Sequence, residues 1–164
     1  MSATTLHYSI ASPIGVIADT HGLLRDEALV LLQGSGLILH LGDVGNKEAD
    51  SAILQRLEKL APVHCVRGNI DTASWSTRLP VHQDIIVNDR HLHLVHRLED
   101  FDPATPCDAV LHGHSHKPRN EWKAGKLLFN PGAAGKRRFK LPITLGKLWV
   151  DHRELRGAIM HLSL

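Results

Sequence analysis

The fold can be predicted from the stretch Val110-Leu111-His112-Gly113-His114-Ser115-His116, in which an apolar sequence changes to a histidine-rich one. An apolar run that begins at Ala109 gives way to three alternating histidines, which predicts a buried strand followed by a tightly turning loop. His114 and His116 would point to opposite faces of an extended strand, whereas around a turn both imidazoles can converge on one metal ion or on two adjacent ions. Three histidines alone are also compatible with a polar loop or with a hydrogen-bonded structural pair.

Three apolar segments earlier in the chain also end in potential metal ligands. Amphipathic segments at 23–33 and 47–60 separate them and predict helices. A strand-helix-strand order predicts parallel strands with right-handed crossovers, so the carboxyl ends of the strands should lie along one edge of a sheet. For the first segment alone, an Asp-capped turn before a helix is the alternative. The segments and their ligands are 14–18 with Asp19 and His21, 37–41 with Asp43, and 63–66 with Asn69.

The second half of the chain is predicted to consist mainly of strands. A hairpin is expected over 85–96, with His91 and His93 facing solvent and His96 at the end of its second strand. Pro103 and Pro106 argue against a long helix in the segment that follows. Further strands are predicted at 109–111, 126–129, 145–150 and 157–162. The pattern therefore indicates two packed sheets, the first of them flanked by helices.

Composition limits the classes of protein that the chain can represent. At 164 residues it is expected to form a single domain over 13–164, preceded by a short N-terminal extension over 1–12. A net charge of +2 does not call for a stable nucleic-acid partner or an anionic membrane. Cys65 and Cys107 are far apart and predict reduced thiols rather than a disulfide. With no signal-peptide pattern and no long apolar window, we expect a cytoplasmic protein without a membrane partner.

Seven polar residues at predicted strand ends form the candidate site. They comprise two carboxylates, one amide and four imidazoles, without a thiolate, which suits divalent ions such as Mn, Zn, Fe or Ni. Seven ligands exceed the number that one zinc-like ion takes, so two ions sharing a carboxylate are predicted. The set is Asp19, His21, Asp43, Asn69, His96, His114 and His116.

In order and spacing these residues resemble the motif series of the calcineurin-like metallophosphoesterases. The motifs are Asp19-x-His21, Gly42-Asp43, Gly68-Asn69-x-Asp71, His96 and Gly113-His114-x-His116. The size of the chain and its Asn130-Pro131-Gly132 segment are similar to the small phosphodiesterases of the YfcE type, whose fold is also that of the retromer subunit Vps29. The resemblance covers about 13–164 and implies an α/β fold, a four-layer α/β/β/α sandwich of two mixed sheets.

The resemblance also implies a role for each residue of the site. Asp19, His21 and His116 correspond to the ligands of a first metal ion, and Asp43 to a carboxylate that bridges two ions. Asn69, His96 and His114 correspond to the ligands of the second ion. Asp43, Asn69 and His96 are thus the candidate catalytic residues, and Mn is the first candidate ion. The implied activity is hydrolysis of a small phosphodiester or nucleotide-like substrate by a hydroxide held between the two ions.

Three departures from the family pattern bear on activity. Ile70 stands where many larger members have a histidine that acts as a general acid, which favours substrates with good leaving groups unless water or Asp71 donates the proton. Arg97 follows the ligand His96 directly, at a position where the family usually has glycine. With Asn69 it is a candidate substrate-binding residue. Its side chain could bind phosphate, crowd the site or turn to solvent. The proline-containing segment between His96 and His112 is short, which predicts a missing helix and a site open on one side.

Several alternatives remain open from the sequence. The rival of the phosphodiesterase is a Vps29-like protein-interaction scaffold with little or no hydrolytic activity, while a monometal hydrolase would leave several ligands unused. The basic loop formed by Lys136-Arg137-Arg138 and Lys140 could be a solvated loop or could bind a substrate phosphate. A homodimer is possible, with Trp75, Trp122 or Phe139 at its interface.

Overall fold

Two β-sheets of mixed direction form the frame of the computed structural model, which describes residues 3–164. Two α-helices are found in this part of the chain, α1 (Asp26–Leu32) and α2 (Ser51–Glu58). The strands are β1 (Leu6–Tyr8), β2 (Ile14–Ile17), β3 (Leu37–His40), β4 (Val63–Cys65), β5 (His82–Val87), β6 (Arg90–Val95), β7 (Ala109–Leu111), β8 (Arg119–Lys123), β9 (Lys126–Asn130), β10 (Thr144–Val150) and β11 (Leu155–His161). Sheet I has the order β1-β5-β6-β7-β9-β8, and sheet II has the order β11-β10-β2-β3-β4.

The parallel part of sheet II determines where the candidate ligands lie. Strands β2, β3 and β4 are adjacent and parallel, as their separation by helical segments predicted. Ile17 pairs with His40, and His40 pairs with Cys65, so the three strands end side by side. The segments that follow them therefore leave the sheet at the same edge, which is where open α/β sheets place their ligands.

Two apolar cores hold the layers together. Between the sheets, alternate residues of β2 and β3 meet the inward face of sheet I, where Phe129 is the largest fully buried side chain. On the other face of sheet II, Ile17 and Ile38 pack against Leu32 of α1 and Leu57 of α2. Each such side chain contributes roughly 1.5–3 kcal/mol through burial, so the sheets and helices form a rigid support for the loops at the strand ends.

Both helices are shorter than the periodicity predicts. Helix α1 begins only at Asp26, with Asp26 and Glu27 in its first turn, because the residues before it belong to the loop that follows β2. The predicted second helix begins as a 3-10 turn over Glu48–Asp50 before α2. The carboxylate of Asp50 accepts the backbone N–H of Lys47 at 2.9 Å, which defines the start of that turn.

The outer face of sheet I is covered by a loop. The connection from β6 to β7 crosses this face and contains one 3-10 turn, Leu98–Asp100, within the described residues. The resemblance implies a helical layer on this face. Pro103 and Pro106 argued against a long helix in the connection, and the described residues contain none there. The fold class is confirmed as an α/β structure of two mixed sheets, and both α-helices within residues 3–164 pack on sheet II.

The prediction that His93 faces solvent is wrong. His93 is buried, because Asp84 lies directly opposite it in the β5–β6 pairing and Phe101 packs on its ring at a centroid distance of 5.1 Å. Asp84 Oδ1 accepts hydrogen bonds from His91 Nε2 at 2.7 Å and from His93 Nδ1 at 2.8 Å. His93 Nε2 in turn lies 3.1 Å from a ring nitrogen of His82. The alternating histidines thus form a hydrogen-bonded chain under the loop.

Two strands lie outside the predicted set. Strand β8, Arg119–Lys123, is mostly exposed and lacks the apolar alternation by which edge strands are recognised. Strand β1 lies within the predicted N-terminal extension and pairs in parallel with β5, so part of that extension is built into sheet I. Residues 1 and 2 of the extension lie outside the described residues. Across the described chain, no helix combines the length and the apolar character needed to span a bilayer.

The Asp84 cluster gives the first testable prediction. Burial by itself would raise the pKa of Asp84, but the hydrogen bonds from His91 and His93 outweigh it and hold the pKa below the usual range. A carboxyl group with a lowered pKa stabilises the fold above its unfolded pKa, and this contribution is lost as the pH falls through the folded pKa. We expect Asp84→Asn to lower the free energy of unfolding by about 1–2 kcal/mol near neutral pH.

Urea unfolding at several pH values measures this effect. The difference between the wild type and Asp84→Asn should shrink between about pH 5 and about pH 3. Asp89→Asn is the matched control, because Asp89 is 85% exposed in the hairpin turn and should change little. A difference between the wild type and Asp84→Asn that stays constant over this range would contradict the assignment.

Candidate metal centre

The seven candidate ligands converge at the edge of the sandwich where the strand-end loops meet. Asp19 and His21 follow β2, Asp43 follows β3 and Asn69 follows β4. His96 follows β6 of sheet I, and His114 and His116 follow β7. The loop after β7 is tied to the loop after β2 because the backbone N–H of His114 donates to Asp19 Oδ2 at 3.1 Å. Side chains from both sheets therefore face one space.

An unusual backbone presents most of these ligands. Five of them have φ between 47° and 71°, in the left-handed region that side chains other than glycine rarely adopt. Each such residue costs about 1 kcal/mol, so neighbouring loops must hold it in place. The backbone N–H groups of Asp19 and His21 donate across to the carbonyl groups of Gly42 and Asp43, both at 3.0 Å. The five are Asp19, His21, Asp43, His114 and His116.

The first group of ligands consists of Asp19, His21 and His116. Asp19 Oδ1 lies 3.8 Å from His21 Nε2 and 3.6 Å from His116 Nε2, so three donor atoms surround a common point. Asp19 is fully buried, and burial lowers the pKa of His116, which keeps this imidazole neutral and able to bind a cation.

The second group consists of Asp43, His96 and His114, with Asn69 between the two imidazoles. Asn69 Oδ1 lies 3.0 Å from His96 Nε2 and 3.1 Å from His114 Nδ1. Asn69 and His114 are exposed, whereas Asp43 and His96 are buried. The second group therefore opens toward solvent on the side of Asn69.

The carboxylate of Asp43 joins the two groups. Its Oδ2 lies 3.4 Å from His21 Nε2 and 3.3 Å from His96 Nε2, and its Oδ1 accepts the backbone N–H of Ile70 at 3.0 Å. Burial alone would raise the pKa of Asp43, but the hydrogen bond and charge of His96 dominate and lower it. An ionised carboxylate between two ligand groups is the arrangement that a bridging ligand needs.

The residues present fit a bound cation. Asp19 Oδ1 and His21 Nε2 are buried and have no hydrogen-bond partner among residues 3–164, although buried polar atoms are normally paired. Both atoms point toward the centre of the first group. His96 Nδ1 donates to the carbonyl of Leu41 at 2.7 Å, which leaves Nε2 free to act as a ligand.

His40 supports the ligand loops from behind. Its Nδ1 accepts the backbone N–H of Gly42 at 3.1 Å, and its Nε2 lies 3.0 Å from Thr20 Oγ1. Because the Thr20 hydroxyl donates to the carbonyl of Val44 at 2.9 Å, His40 must donate to Thr20 through Nε2–H. Complete burial lowers the pKa of His40 to about 4, so the neutral ring bridges the loops after β2 and β3.

Asp71 has a structural role that the sequence analysis missed. Its carboxylate accepts three backbone N–H groups, those of Asp43 at 2.9 Å, Gly45 at 3.1 Å and Gly68 at 2.8 Å. A Cβ at Gly68 would overlap the backbone nitrogen of Asp43, so only glycine allows these loops to approach so closely. The Gly-Asn-x-Asp spacing was the available signal: a carboxylate three residues after a glycine can accept the glycine N–H and close a turn.

Arg97 lies at the rim of the centre. Its guanidinium pairs with Asp100, at 3.1 Å between Nε and Oδ2, and its side chain remains 43% exposed. It lines a cavity of about 550 Å³ that also borders Asn69 and His96. The side chain thus lies beside the ligands, where it neither crowds them nor turns fully to solvent. Its role in binding substrate stays a prediction.

Comparison with known proteins identifies relatives of this chain. The model of the calcineurin-like phosphoesterase superfamily domain matches residues 13–153. A probable metallophosphoesterase of Methanocaldococcus jannaschii is 33% identical over 138 residues, which cover 73% of this chain and 67% of that protein.

Solved structures share the fold. An archaeal phosphodiesterase superposes with a TM-score of 0.72 at 21% identity, covering 90% of this chain and 99% of its own. The YfcE phosphoesterase of E. coli gives a TM-score of 0.68 at 22% identity over 92% of this chain and 100% of its own. Vps29 of Entamoeba histolytica, complexed with zinc, gives 0.65 at 19% identity over 92% and 99%. The resemblance to YfcE and Vps29 is thus confirmed at the level of the fold.

Replacing Asp71 tests whether the loops depend on it. In Asp71→Asn, an amide N–H₂ would face backbone N–H donors, so we expect metal affinity to fall by about 10–100-fold. The melting temperature of the metal-free protein should fall as well, because buried N–H groups lose their acceptor.

Calorimetric titration with Mn²⁺ measures the affinity. Asp26→Asn is the matched control, since Asp26 is 93% exposed and its carboxylate pairs with Arg56 rather than with a backbone N–H of the ligand loops. Wild-type affinity in Asp71→Asn would show that the loops keep their geometry without this carboxylate.

Proposed function

The chain belongs to the calcineurin-like phosphoesterase superfamily, and we propose that it is a dimetal phosphodiesterase. One observation carries this proposal: Asp43 Oδ2 lies within 3.4 Å of a ligand nitrogen in each of the two groups. A single carboxylate in that position suits two ions that share it. The relatives support hydrolysis of phosphoric esters, while the number of ions and the preference for diesters belong to the proposal.

Each group has a donor set suited to a divalent ion. Asp19, His21 and His116 would hold one ion, and His96 and His114 with the Asn69 amide oxygen would hold the other, with Asp43 shared. Mixed carboxylate, amide and imidazole donors suit Mn first and also Zn, Fe or Ni. Bound ions would supply charge neutralisation at the phosphoryl oxygens and a lowered pKa for the attacking water.

Asn69 would position the scissile phosphate. Its amide oxygen faces His96 and His114, so its N–H₂ group is free to donate to a phosphate oxygen. Its exposure at the open side of the second group lets substrate reach it. The burial of Asp43 and His96 behind it lowers the local dielectric and strengthens their electrostatic interactions.

The surroundings of the centre favour a diester. The cavity of about 550 Å³ borders Asn69 and His96, and a second cavity of about 380 Å³ borders His21 and Ile70. A diester needs space for a substituent on each side of the phosphorus, and these cavities offer it. The side chain at position 70 cannot donate a proton, and both carboxylate oxygens of Asp71 are occupied by backbone N–H groups. Good leaving groups should therefore react best.

A protein-interaction scaffold is the second candidate function. It is favoured by the fold shared with Vps29 and by two exposed aromatic side chains, Trp122 at 55% and Phe139 at 92% exposure. These two residues also stay candidates for a homodimer interface, whereas Trp75 is partly buried and donates to the carbonyl of Lys47. Because the zinc complex is of a Vps29 protein, metal binding alone does not separate the two functions. Both cysteines are free thiols, in keeping with the proposed cytoplasmic location.

Hydrolysis by an Asn69 variant tests the proposed role of that residue. We expect Asn69→Ala to lower kcat/KM for bis(p-nitrophenyl) phosphate by about 10²–10³-fold, because a donor to the phosphate and a ligand are lost together. Asn120→Ala is the matched control, since Asn120 lies on the exposed strand β8 and bonds to the carbonyl of Gly157. Full activity in Asn69→Ala would overturn the assignment, and an inactive wild type with bound metal would favour the scaffold.

Arg97 provides a separate test at the rim. Because Asp100 holds its guanidinium beside the larger cavity, we expect Arg97→Ala to raise KM severalfold and to leave kcat nearly unchanged. Steady-state kinetics with the same diester separates the two parameters. A fall in kcat with unchanged KM would place Arg97 at the reacting phosphate instead.

A further inference from the structure

The basic loop, defined by Lys136-Arg137-Arg138 and Lys140, lies next to the first ligand group. Three contacts fix its base there. The backbone N–H of Ala134 donates to the carbonyl of Ala18 at 3.1 Å, and Arg25 Nε donates to the carbonyl of Gly135 at 3.1 Å. A Cβ at Gly135 would overlap the carbonyl oxygen of Thr20, so the loop rests directly on the segment between Asp19 and His21. The cations that follow Gly135 therefore start from a fixed point.

Two of these cations line the smaller cavity beside the centre. This cavity, of about 380 Å³, is bordered by His21, Asn46, Ile70, Lys136 and Arg138. His21 belongs to the first ligand group, so the cavity borders the proposed position of the scissile phosphate. Its volume suits a small-molecule group, since ligand pockets start at about 300 Å³.

The charges at this cavity are uncompensated. Within residues 3–164, neither Lys136 nor Arg138 forms an ion pair with a carboxylate, whereas Arg97, beside the larger cavity, is paired with Asp100. The side chains of Lys136 and Arg138, next to the amide of Asn46, are therefore hydrogen-bond donors that lack a protein acceptor within residues 3–164. A guanidinium matches two oxygens of a phosphate, and an ammonium group binds phosphate as a point charge.

We propose that Lys136 and Arg138 form a subsite for a second phosphate of the substrate. The substrate class is then a nucleotide-type phosphodiester that carries a phosphate beyond the scissile one. This inference rests on the proposed function, because it places the scissile phosphate at the two ligand groups. Ile70 forms the apolar side of the cavity, which suits the sugar that separates the two phosphates. Arg137 and Lys140 belong to the same loop but do not line the cavity.

Two matched probes test the subsite. One is the 5′-(p-nitrophenyl phosphate) of thymidine, and the other is the same ester with an added 3′-phosphate. We expect KM of the Mn²⁺-loaded wild type to be about tenfold lower for the phosphorylated probe. The double variant Lys136→Ala, Arg138→Ala should lose this preference.

The loop itself supplies the control. The double variant Arg137→Ala, Lys140→Ala removes the same charge from neighbouring positions and should keep the preference. Equal KM values for the two probes in the wild type would overturn the subsite, as would a preference that survives loss of Lys136 and Arg138. A preference lost equally in both double variants would indicate general attraction by the loop and would also overturn it.

Calorimetry separates this inference from the proposed function. The wild type should bind thymidine 3′,5′-bisphosphate about tenfold more tightly than thymidine 5′-monophosphate, and loss of Lys136 and Arg138 should abolish the difference. If no diester is hydrolysed, the proposed function fails, while this binding difference still supports the subsite. Equal binding of the two nucleotides by an enzyme that hydrolyses diesters would reject the subsite alone.

Discussion

The carboxylate of Asp71 is the constraint on which the candidate centre depends. It accepts backbone N–H groups from the loops after β3 and β4, and one of these belongs to Asp43, the residue between the two ligand groups. Burial raises the pKa of Asp71, while the hydrogen bonds from the N–H groups oppose that effect. Burying the ionised carboxylate therefore costs free energy. The three backbone N–H donors offset part of this cost. Because one of them is the N–H of Asp43, the hydrogen bond to Asp71 fixes the backbone of Asp43 and thereby the position of its side chain.

The fold supports this arrangement by bringing strand ends together. The parallel strands β2, β3 and β4 carry three of the loops to one edge, and β6 and β7 of sheet I add His96, His114 and His116. Because two apolar cores make both sheets rigid, the loops can hold ligands in left-handed conformations that they would otherwise leave. The side of the centre that opens to solvent lies at the exposed Asn69, and Arg97 and Asp100 of the β6–β7 connection border the same cavity.

Much of the architecture could be predicted from the sequence. Continuous apolar runs that end in Asp43 or Asn69 are recognisable, because a buried strand followed by a polar loop leaves a clear pattern. Strand β8 could not be found, since its residues are mostly exposed. The burial of His93 depends on Asp84 and Phe101, which meet it only through the fold. Nor could the backbone conformation of the ligands be predicted, because tertiary contacts between loops impose it.

The account depends most on Asp43 joining two metal ions. A crystal structure of the Mn²⁺-loaded protein, with anomalous scattering recorded for Mn, tests this directly. Two anomalous peaks are predicted, one among Asp19, His21 and His116 and the other among Asn69, His96 and His114, each in contact with the carboxylate of Asp43. The corresponding crystals of Asp43→Asn should show weaker occupancy at both positions. A single peak in the wild-type protein, or two peaks that Asp43 does not contact, would contradict the account.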